Sequence, residues 1–464
     1  MNKPEFTIGA SPDNTYQISD PSVGDARLIV TPLSASEYLI RHVGDNLDNF
    51  TIARQRVVMS RIDKFTPLQL GKVSFTLSEL MKKGTFFSET KSTLAQHQTD
   101  YTFDIGKNYL AGASDICDIV LPSPRIAWHA LEIKRQTEQW HVRFIQSKKE
   151  SILQNGNVLR IGPYQLEFGK NGHLSTRIAT NDHLTIKNID VLHPKKKYPL
   201  IRALSLGIKV GEFMGIIGPS GAGKSTLLKA IRAIIPINAG RIFLSRINTR
   251  DNTDILKEIG FVPQDDVVIP ELTVTENLRF AAVLRLPSDW PAYAIEQKVD
   301  DLLKAMNLKE QRDSRCSNIS GGQRKRVNLA LEMMLEPTFL LADEVCSGLS
   351  SLDTDNILQH LRMIADGGKG IMLTIHSPDI EAFDLMDTLL VLDTGGFIAY
   401  YGPAQPDAMQ YFSKQTHSPY KSPKLIFDIL EKKEGASRKT SPEEWHQIYT
   451  SSRYYQEFIK SKVV

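Results

Sequence analysis

Cysteine is scarce and scattered in this sequence. The 464 residues include three cysteines, Cys117, Cys316 and Cys346, and no two of them have the close spacing of a metal site. A zinc-ribbon type of site and a disulfide framework are therefore excluded. The composition suits a protein of a reducing compartment.

Long apolar stretches are also missing. A membrane-spanning helix needs about 18 or more consecutive apolar residues, and no such run occurs. The best candidate begins at Thr388 and is ended by Asp393 and two glycines, which is typical of a short buried strand. Residues 1–6 lack the apolar core of a signal peptide. We therefore expect this chain to span no membrane.

No strong excess of one charge is present either. Lysine and arginine number 56 and aspartate and glutamate 53, which gives a formal charge of +3. This near-equality of positive and negative charge is unlike the basic surface of a nucleic-acid binder. We therefore predict no nucleic-acid partner. The hydrophobic fraction of 41% is ordinary for globular proteins, so sizeable cores can form. The length suggests roughly two to four domains.

The first part of the chain reads as β structure with an internal repeat. Short apolar runs alternate with polar turn clusters, and the pattern that opens at Phe6-Thr-Ile-Gly returns at Phe103-Asp-Ile-Gly. The offset of about 95 residues predicts a duplicated small β-sandwich. We predict one sandwich over residues 1–88 and a second over 97–175, with the polar stretch 88–100 as their linker.

Apolar strands alternate with helical stretches over residues 181–403, which predicts an α/β domain with a largely parallel sheet. A glycine-rich loop between one such strand and a helix matches the phosphate-binding loop of nucleoside triphosphatases. Its backbone N–H groups can surround phosphates, and the helix adds the positive end of its dipole. We expect Lys224 to reach the β- and γ-phosphates and Ser225 to ligate Mg²⁺. The loop residues are Gly218, Pro219, Ser220, Gly221, Ala222, Gly223, Lys224, Ser225 and Thr226.

Further motifs follow this loop in a fixed order. Ile319-Ser-Gly-Gly-Gln323 precedes an apolar strand that ends in Asp343 and Glu344. With the phosphate-binding loop, this order resembles the nucleotide-binding domain of ABC transporters. The resemblance implies that ATP is the nucleotide and that a helix N-terminus binds the γ-phosphate held by an opposite subunit. The residues of that helix start are Ser320, Gly321, Gly322 and Gln323.

The same resemblance implies roles for single residues near the phosphates. Asp343 would hold Mg²⁺ through water, and Glu344 would polarise the attacking water. Gln264 would contact Mg²⁺ and link the site to a partner domain, and His376 would sense the γ-phosphate. The sequence departs from the family at Ser350, where an aspartate usually couples two sites across a dimer. We therefore expect slower or less cooperative hydrolysis.

One aromatic residue is a candidate for contact with the adenine base. Tyr198 precedes the phosphate-binding loop, as an adenine-stacking aromatic does in the family. Its spacing to the loop is shorter than usual, so the sequence leaves this role open.

Several segments resemble one subfamily, the G-type (white/pigment-type) half-transporters. They are Leu272-Thr-Val-Thr-Glu-Asn-Leu, Arg324-Lys-Arg-Val-Asn-Leu and Tyr400-Tyr-Gly-Pro. Residues 404–464 resemble the helical connector that precedes the membrane domain there. The resemblance implies a bacterial exporter that works as a homodimer with a membrane domain, in the same polypeptide or a separate subunit. It also implies a location at the cytoplasmic face of the inner membrane, with this chain itself soluble.

The two predicted sandwiches resemble forkhead-associated (FHA) domains, which bind phosphothreonine. In the second copy, Ile105-Gly-Lys, Asp118-Ile-Val-Leu-Pro and His129-Ala-Leu-Glu-Ile fall in the family's order. The usual phosphate-binding groups are poorly kept, and the possible substitutes are Lys107, Ser114 and Arg125. A phosphothreonine protein partner is one hypothesis, and a docking or regulatory module is the favoured one.

The predicted architecture is therefore multidomain, with two all-β FHA-like sandwiches ahead of an α/β P-loop ABC ATPase domain that carries a helical subdomain. Two alternatives to a transporter stay open. One is a soluble regulatory ABC ATPase that recruits protein partners and has no membrane domain of its own. The other is a nucleotide-binding switch that does not hydrolyse ATP.

Overall fold

The structure is a computed structural model, and the chain divides into two structural units, residues 1–93 and residues 94–464. Each unit is described by itself. The predicted linker over 88–100 lies almost entirely outside the described residues. Those residues are 6–9, 16–17, 27–32, 37–43, 50–52, 55–56, 59–63, 68–70, 73–75, 99–178, 183–245, 247–376, 379–416, 423–430, 438 and 440–461.

The described residues of the N-terminal unit form β-strands in two sheets. Its strands are β1 (Phe6–Gly9), β2 (Tyr16–Gln17), β3 (Arg27–Pro32), β4 (Glu37–Val43), β5 (Phe50–Ile52), β6 (Gln55–Arg56), β7 (Met59–Asp63), β8 (Leu68–Leu70) and β9 (Val73–Phe75). The sheets have the orders β2-β1-β3-β4-β7 and β6-β5-β8-β9. Alternate residues of these strands, such as Leu28 and Val30, are fully buried, as expected for a sheet with one covered face.

The second unit begins with two sheets that pack around a shared core. The strands are β10 (Thr99–Thr102), β11 (Asn108–Gly112), β12 (Ile119–Val120), β13 (Leu131–Gln136), β14 (Gln139–Phe144), β15 (Glu150–Gln154), β16 (Val158–Ile161), β17 (Tyr164–Phe168) and β18 (His173–Ile178). The orders are β10-β18-β17-β16 and β12-β11-β13-β14-β15. Trp140 lies at the centre, with its ring 5.3 Å from Phe103 and 5.2 Å from Phe168. We call this region, residues 99–178, the second sandwich.

The five-stranded sheets of the two β regions share one topology. In each sheet the first two strands pair in parallel, and the first strand pairs with the third in antiparallel register. The third and fourth strands then follow in the same antiparallel order. The two five-stranded sheets thus agree in strand order and in strand direction.

A four-stranded antiparallel sheet follows. It contains β19 (His183–Leu192), β20 (Pro199–Lys209), β22 (Ala239–Leu244) and β23 (Ile247–Asn248), in the order β20-β19-β22-β23. Alternate residues of β19, among them Leu184 and Ile186, are fully buried. The sheet therefore presents one face to the rest of the domain.

The central sheet has six strands and lies at the core of the α/β region. Its strands are β21 (Phe213–Ile217), β24 (Ile259–Val262), β25 (Phe339–Asp343), β26 (Gly370–Thr374), β27 (Thr388–Asp393) and β28 (Phe397–Pro403). The order is β24-β25-β26-β21-β27-β28, parallel except for β28. All residues of β21, β25, β26 and β27 are buried, as in parallel sheets covered on both faces. The carboxyl ends of the parallel strands meet at one edge, where ligands bind in such folds.

Helices cover the sheet and form a projecting subdomain. The covering helices are α1 (Lys224–Ile231), α5 (Ser351–Asp366) and α6 (Ile380–Asp384). The connection between β24 and β25 holds α2 (Val274–Arg285), α3 (Ala292–Ala305) and α4 (Gly321–Met333). We call these three helices and their connections the helical subdomain. Its first helix begins with a capping box between Thr273 and Glu276.

The C-terminal helices pack on the last strand of the central sheet. They are α7 (Met409–Thr416), α8 (Lys424–Leu430) and α9 (Pro442–Thr450). Trp445 and Tyr449 of α9 are buried; the Trp445 ring lies 5.2 Å from Phe412, and Tyr449 donates to the carbonyl of Tyr401. Among the described residues, no helix has both the length and the apolar character needed to cross a membrane.

Candidate nucleotide-binding site

The phosphate-binding loop joins the carboxyl end of β21 to α1 and depends on glycine at two close approaches. Gly218 has a φ of 148°, and a Cβ there would lie 2.0 Å from the carbonyl oxygen of Leu392. Gly223 has a φ of 98°, and a Cβ there would lie 2.5 Å from the carbonyl oxygen of Leu200. No side chain caps α1. Its first N–H groups are therefore directed into the loop, as an anion site requires.

The side chain of Lys224 lies inside this loop. The residue is 5% exposed, and its ammonium Nζ donates to the carbonyl oxygens of Gly218, at 2.8 Å, and Pro219, at 3.1 Å. A buried ammonium group held by backbone carbonyls places a positive charge at the centre of the loop. This is the arrangement that attracts the phosphates of a nucleotide.

A chain of hydrogen bonds links the loop to the end of β25. The hydroxyl of Ser225 donates to Asp343 Oδ1 at 2.8 Å, and the hydroxyl of Thr374 donates to the same oxygen at 2.8 Å. Thr374 Oγ1 also accepts from the backbone N–H of Glu344 at 2.8 Å. Sequence reasoning missed Thr374, which pairs with Asp343 in the register of β25 and β26. The available signal for Thr374 was its polar side chain at the end of β26, an otherwise apolar strand.

Glu344 and His376 lie at the same edge of the sheet. Glu344 follows β25 directly, is half-buried and has a φ of 47°, an uncommon conformation for a residue other than glycine. His376 follows β26 by two residues and is exposed. Neighbouring parallel strands thus bring Glu344 and His376, two of the three predicted catalytic residues, to one edge.

The loop that carries Gln264 is bound to the first turns of α4. Lys325 Nζ donates to the carbonyl oxygen of Gln264 and forms an ion pair with Asp266 Oδ1 at 2.9 Å. Asn328 Nδ2 donates to Asp266 at 2.8 Å, and Arg324 Nε lies 3.3 Å from the same carboxylate. Burial raises the pKa of Asp266, but Lys325 and Arg324 together outweigh it, so the pKa lies below its ordinary value. Sequence reasoning missed Asp266. The basic residues that directly follow Gln323 were a signal that an acidic partner lies near them.

The helix start at Ser320 is preorganised by its own side chains. The Ser320 hydroxyl accepts from Gln323 N at 3.2 Å, and Gln323 Oε1 accepts from Ser320 N at 2.8 Å. A Cβ on Gly322 would lie 2.3 Å from Asp353 Oδ1, so this position requires glycine. Ser350, where the sequence departs from the family pattern, caps α5 by accepting from Asp353 N at 3.2 Å.

Comparison with known proteins identifies this region. Residues 201–347 match the family described as ABC transporter. The chain carries an ABC transporter ATP-binding domain. The prediction of an ABC-type ATPase is confirmed, and ATP hydrolysis is the reaction of this domain.

The relatives of this ATP-binding domain are G-family-like. ABC transporter G family member 28 of Arabidopsis thaliana is 34% identical over 60% of this chain and 25% of its own length. Member 26 of the same plant is 39% identical over 44% of this chain and 30% of its own length. An ABC transporter ATP-binding/permease protein of Mycobacterium tuberculosis is 34% identical over 54% of this chain and 30% of its own length. The chain thus spans about a quarter to a third of these relatives.

A solved structure is also similar to part of this chain. It is a dimeric ATP-binding cassette in a post-hydrolysis state with ADP and Pi, 27% identical, with a TM-score of 0.43. The matched region covers 48% of this chain and 99% of the chain in the solved structure.

The possible phosphate ligands of the second sandwich have other contacts. Arg125 forms an ion pair with Glu258 of the ATP-binding domain at 2.7 Å, and the two side chains are 10% and 6% exposed. Ser114 is buried, and its hydroxyl accepts from Ile116 N at 3.4 Å. Lys107 is exposed, and its ammonium lies 5.2 Å from the centre of a tyrosine ring. Each of the three side chains thus has a contact of its own within the chain.

Proposed function

We propose that this chain is the ATP-hydrolysing part of a G-type ABC transporter, whose head-to-tail dimerisation on ATP drives export of a substrate. The observation that carries the proposal is the hydrogen-bonded set of Ser225, Asp343 and Glu344 beside the buried ammonium of Lys224. Phosphoryl transfer to water needs a phosphate-binding loop, oxygen atoms that bind a cation, and a carboxylate near the attacking water. This edge of the sheet supplies all three.

Lys224 and the phosphate-binding loop hold the triphosphate. Its backbone N–H groups and the N-terminus of α1 bind the phosphate oxygens by hydrogen bonding and by the helix dipole. The two loop carbonyls that now accept from Lys224 are replaced by phosphate oxygens, which are stronger acceptors because they are charged.

The residues around Ser225 fit a magnesium ion. Ser225 Oγ and Asp343 Oδ1 lie 2.8 Å apart, and both are the oxygen ligands that Mg²⁺ prefers. The carboxylate of Asp343 is 2% exposed, so its charge is little screened by solvent. We assign Ser225, Asp343 and Gln264 as the residues that would hold Mg²⁺, which neutralises charge on the β- and γ-phosphates when bound.

Glu344 is the base in this proposal. Its side chain polarises the attacking water and accepts its proton, while Thr374 fixes the backbone of Glu344. His376, on the neighbouring strand end, contacts the γ-phosphate. Gln264 reports the state of the site to the helical subdomain through the contacts of Asp266 with α4.

A second copy of the chain completes the site. Ser320 is exposed at the start of α4, and the capping box fixes the backbone there. An exposed, preorganised helix N-terminus is suited to bind the γ-phosphate held by another protomer. We therefore propose a homodimer with two ATP molecules between the phosphate-binding loop of one protomer and Ser320 of its partner.

The helical subdomain presents an apolar surface suited to a membrane domain. On α2, Phe280 is 53%, Val283 67% and Leu284 83% exposed. In the loop after Gln264, Val267 and Ile269 are each 49% exposed. Neighbouring exposed apolar side chains of this kind mark protein–protein contact sites. A membrane domain that docks here would place this chain at the cytoplasmic face of the membrane.

Sequencing the natural reading frame beyond codon 464 tests the transporter proposal. We expect about six apolar segments of roughly 20 residues each. A stop codon followed by no membrane-subunit gene would contradict it, and would favour the soluble regulatory ATPase instead.

Tyr198 is proposed to stack on the adenine base. Tyr198 is 48% exposed, and its ring lies 5.0 Å from the ring of His193. Tyr198 is two residues before Leu200, and the carbonyl oxygen of Leu200 lies close to Gly223 of the phosphate-binding loop. We expect Tyr198→Ala to weaken ATP affinity about tenfold, because an aromatic–base stack is worth about 1–3 kcal/mol. Fluorescent ATP titration measures this. Tyr198→Phe, which keeps the aromatic ring, should leave the affinity unchanged. Equal affinities in both variants would remove Tyr198 from the site.

For the two β regions we propose FHA-like folds with a docking or regulatory role. Their shared topology supports a common fold, and the contacts of Arg125 and Ser114 favour docking over phosphothreonine binding. Near-dianionic phosphothreonine needs charge-assisted hydrogen bonds, and Arg125 is already paired with Glu258.

A further inference from the structure

One loop of the second sandwich contacts two parts of the ATP-binding domain. We call residues 123–129, between β12 and β13, the clamp loop. Ala113 N donates to the Ala127 carbonyl at 3.0 Å, and Ser114 N donates to the Trp128 carbonyl at 3.1 Å. A Cβ on Gly112 would lie 2.3 Å from that Trp128 oxygen, so the backbones are in close contact. The clamp loop is therefore a rigid part of the sandwich.

The end of the clamp loop binds a carboxylate of the helical subdomain. Asp289, between α2 and α3, accepts from Trp128 N at 3.0 Å and from His129 N at 2.9 Å. Gln146 Nε2 also donates to Asp289, at 3.2 Å. Consecutive backbone N–H groups that converge in this way form an anion-binding concavity. Asp289 occupies it.

Aromatic contacts extend this side of the interface. Trp290 Nε1 donates to the carbonyl oxygen of Ile126 at 2.9 Å. The ring of Trp128 lies 5.2 Å from Trp290 and 5.9 Å from Tyr293, both edge-to-face. Edge-to-face pairs at these distances are stabilising beyond the area they bury.

The beginning of the clamp loop binds the central sheet instead. Arg125 pairs with Glu258 at 2.7 Å, and Arg160 pairs with the same carboxylate at 3.3 Å. Thr338 donates to Glu258 at 2.5 Å. Glu258 directly precedes β24, which leads to the loop of Gln264, and Thr338 directly precedes β25. Burial raises the pKa of Glu258, but Arg125, Thr338 and Arg160 together outweigh it, so the pKa lies below its ordinary value.

We propose that the second sandwich clamps the helical subdomain to the central sheet and restrains rotation between them during ATP turnover. Arg125, which contacts the sheet, and Trp128, which contacts the helical subdomain, are only three residues apart on one rigid loop. A rotation that separates Glu258 from Asp289 must break one of the two contact sets. The clamp therefore acts on the relative position of the Gln264 loop and the helix start at Ser320. This inference rests on the ATPase proposed above and adds its regulation.

A distance measurement tests the clamp directly. Spin labels on two introduced cysteines report the rotation. One replaces Asp254, in the segment that leads into β24 of the central sheet, and the other replaces Lys304 on α3. Both positions are exposed and can therefore be labelled. Cys117 and Cys316 are buried, and burial raises the pKa of Cys346 to about 12, so native thiols label slowly. We expect a narrow distance distribution in the otherwise unchanged protein. Asp289→Lys and Trp290→Ala should each widen it.

Phosphate release from ATP gives the second readout. Asp289→Lys and Trp290→Ala should raise turnover about fivefold, the lower range of coupling between sites. Glu310→Lys is the matched control, because it makes the same charge change at another exposed position of the helical subdomain. It should leave both readouts unchanged.

The outcomes separate the clamp from the ATPase proposal. A narrow distribution in both folded variants, or turnover that does not rise above the wild-type rate, overturns the clamp alone. Absence of turnover in the wild-type protein instead overturns the ATPase proposal. The distance distributions still decide the clamp in that case, because they do not depend on hydrolysis.

Discussion

Glu344→Gln is expected to lower ATP turnover by roughly 10²–10⁴-fold, the usual contribution of a general base. Glutamine has the size of glutamate and can hold a water molecule, but it cannot accept the proton of the attacking water. The backbone N–H of Glu344 donates to Thr374 and is unaffected by the change. Lys224, Ser225 and Asp343 also keep their contacts, so ATP should still bind.

The same variant should accumulate an ATP-bound dimer. In the proposed homodimer, dissociation of the two protomers follows hydrolysis, so a variant that binds ATP but does not cleave it should remain closed. Light scattering after gel filtration with Mg-ATP measures the mass, and malachite green measures phosphate. Glu310→Gln, an exposed glutamate of the helical subdomain, is the matched control and should behave as wild type. Near-native turnover in Glu344→Gln would show that another group is the base.

The nucleotide site was predictable because its chemistry fixes residue types at fixed spacings. A phosphate-binding loop needs glycine where the backbone approaches Leu392 and Leu200 and a lysine at the helix start. These requirements lie within nine consecutive residues, so they can be read without knowing the fold. The order of the later motifs then indicated the ABC-type domain.

Residues joined only by the fold were not predictable in the same way. Thr374 reaches Asp343 because two parallel strands pair in a particular register, and nothing near Thr374 in the sequence indicates that partner. Asp266 gains its role from Lys325 and Asn328, which lie on α4, beyond α2 and α3 in the sequence. Long-range pairing of this kind depends on the whole sheet and its crossover connections.

Arg125 shows that a local sequence pattern does not reveal a long-range partner. Its position in the β12–β13 loop and its charge made it a candidate ligand for phosphothreonine. In the folded chain it is paired with Glu258, more than a hundred residues away in the sequence. A buried carboxylate requires a cation, and that requirement decides the partner of Arg125.

Lys224→Ala is expected to abolish ATP binding, with an affinity loss of about 10²–10⁴-fold. The variant removes two hydrogen bonds to charged phosphate oxygens, each worth about 1.5–3 kcal/mol. It also removes the buried positive charge that Gly218 and Pro219 now hold in the loop. Both effects act on the triphosphate, and no other lysine precedes the helix in this loop to replace the ammonium.

Calorimetric titration with Mg-ATP and the shift in Tm on adding ATP check this result. Ligand that binds only the folded state raises Tm, so the wild-type protein should be stabilised by ATP and the variant should not. Lys229→Ala removes a half-buried lysine one turn further along α1 and serves as the control for stability. It should bind ATP as the wild type does. Wild-type affinity in a folded Lys224→Ala protein would place the nucleotide outside the loop between β21 and α1.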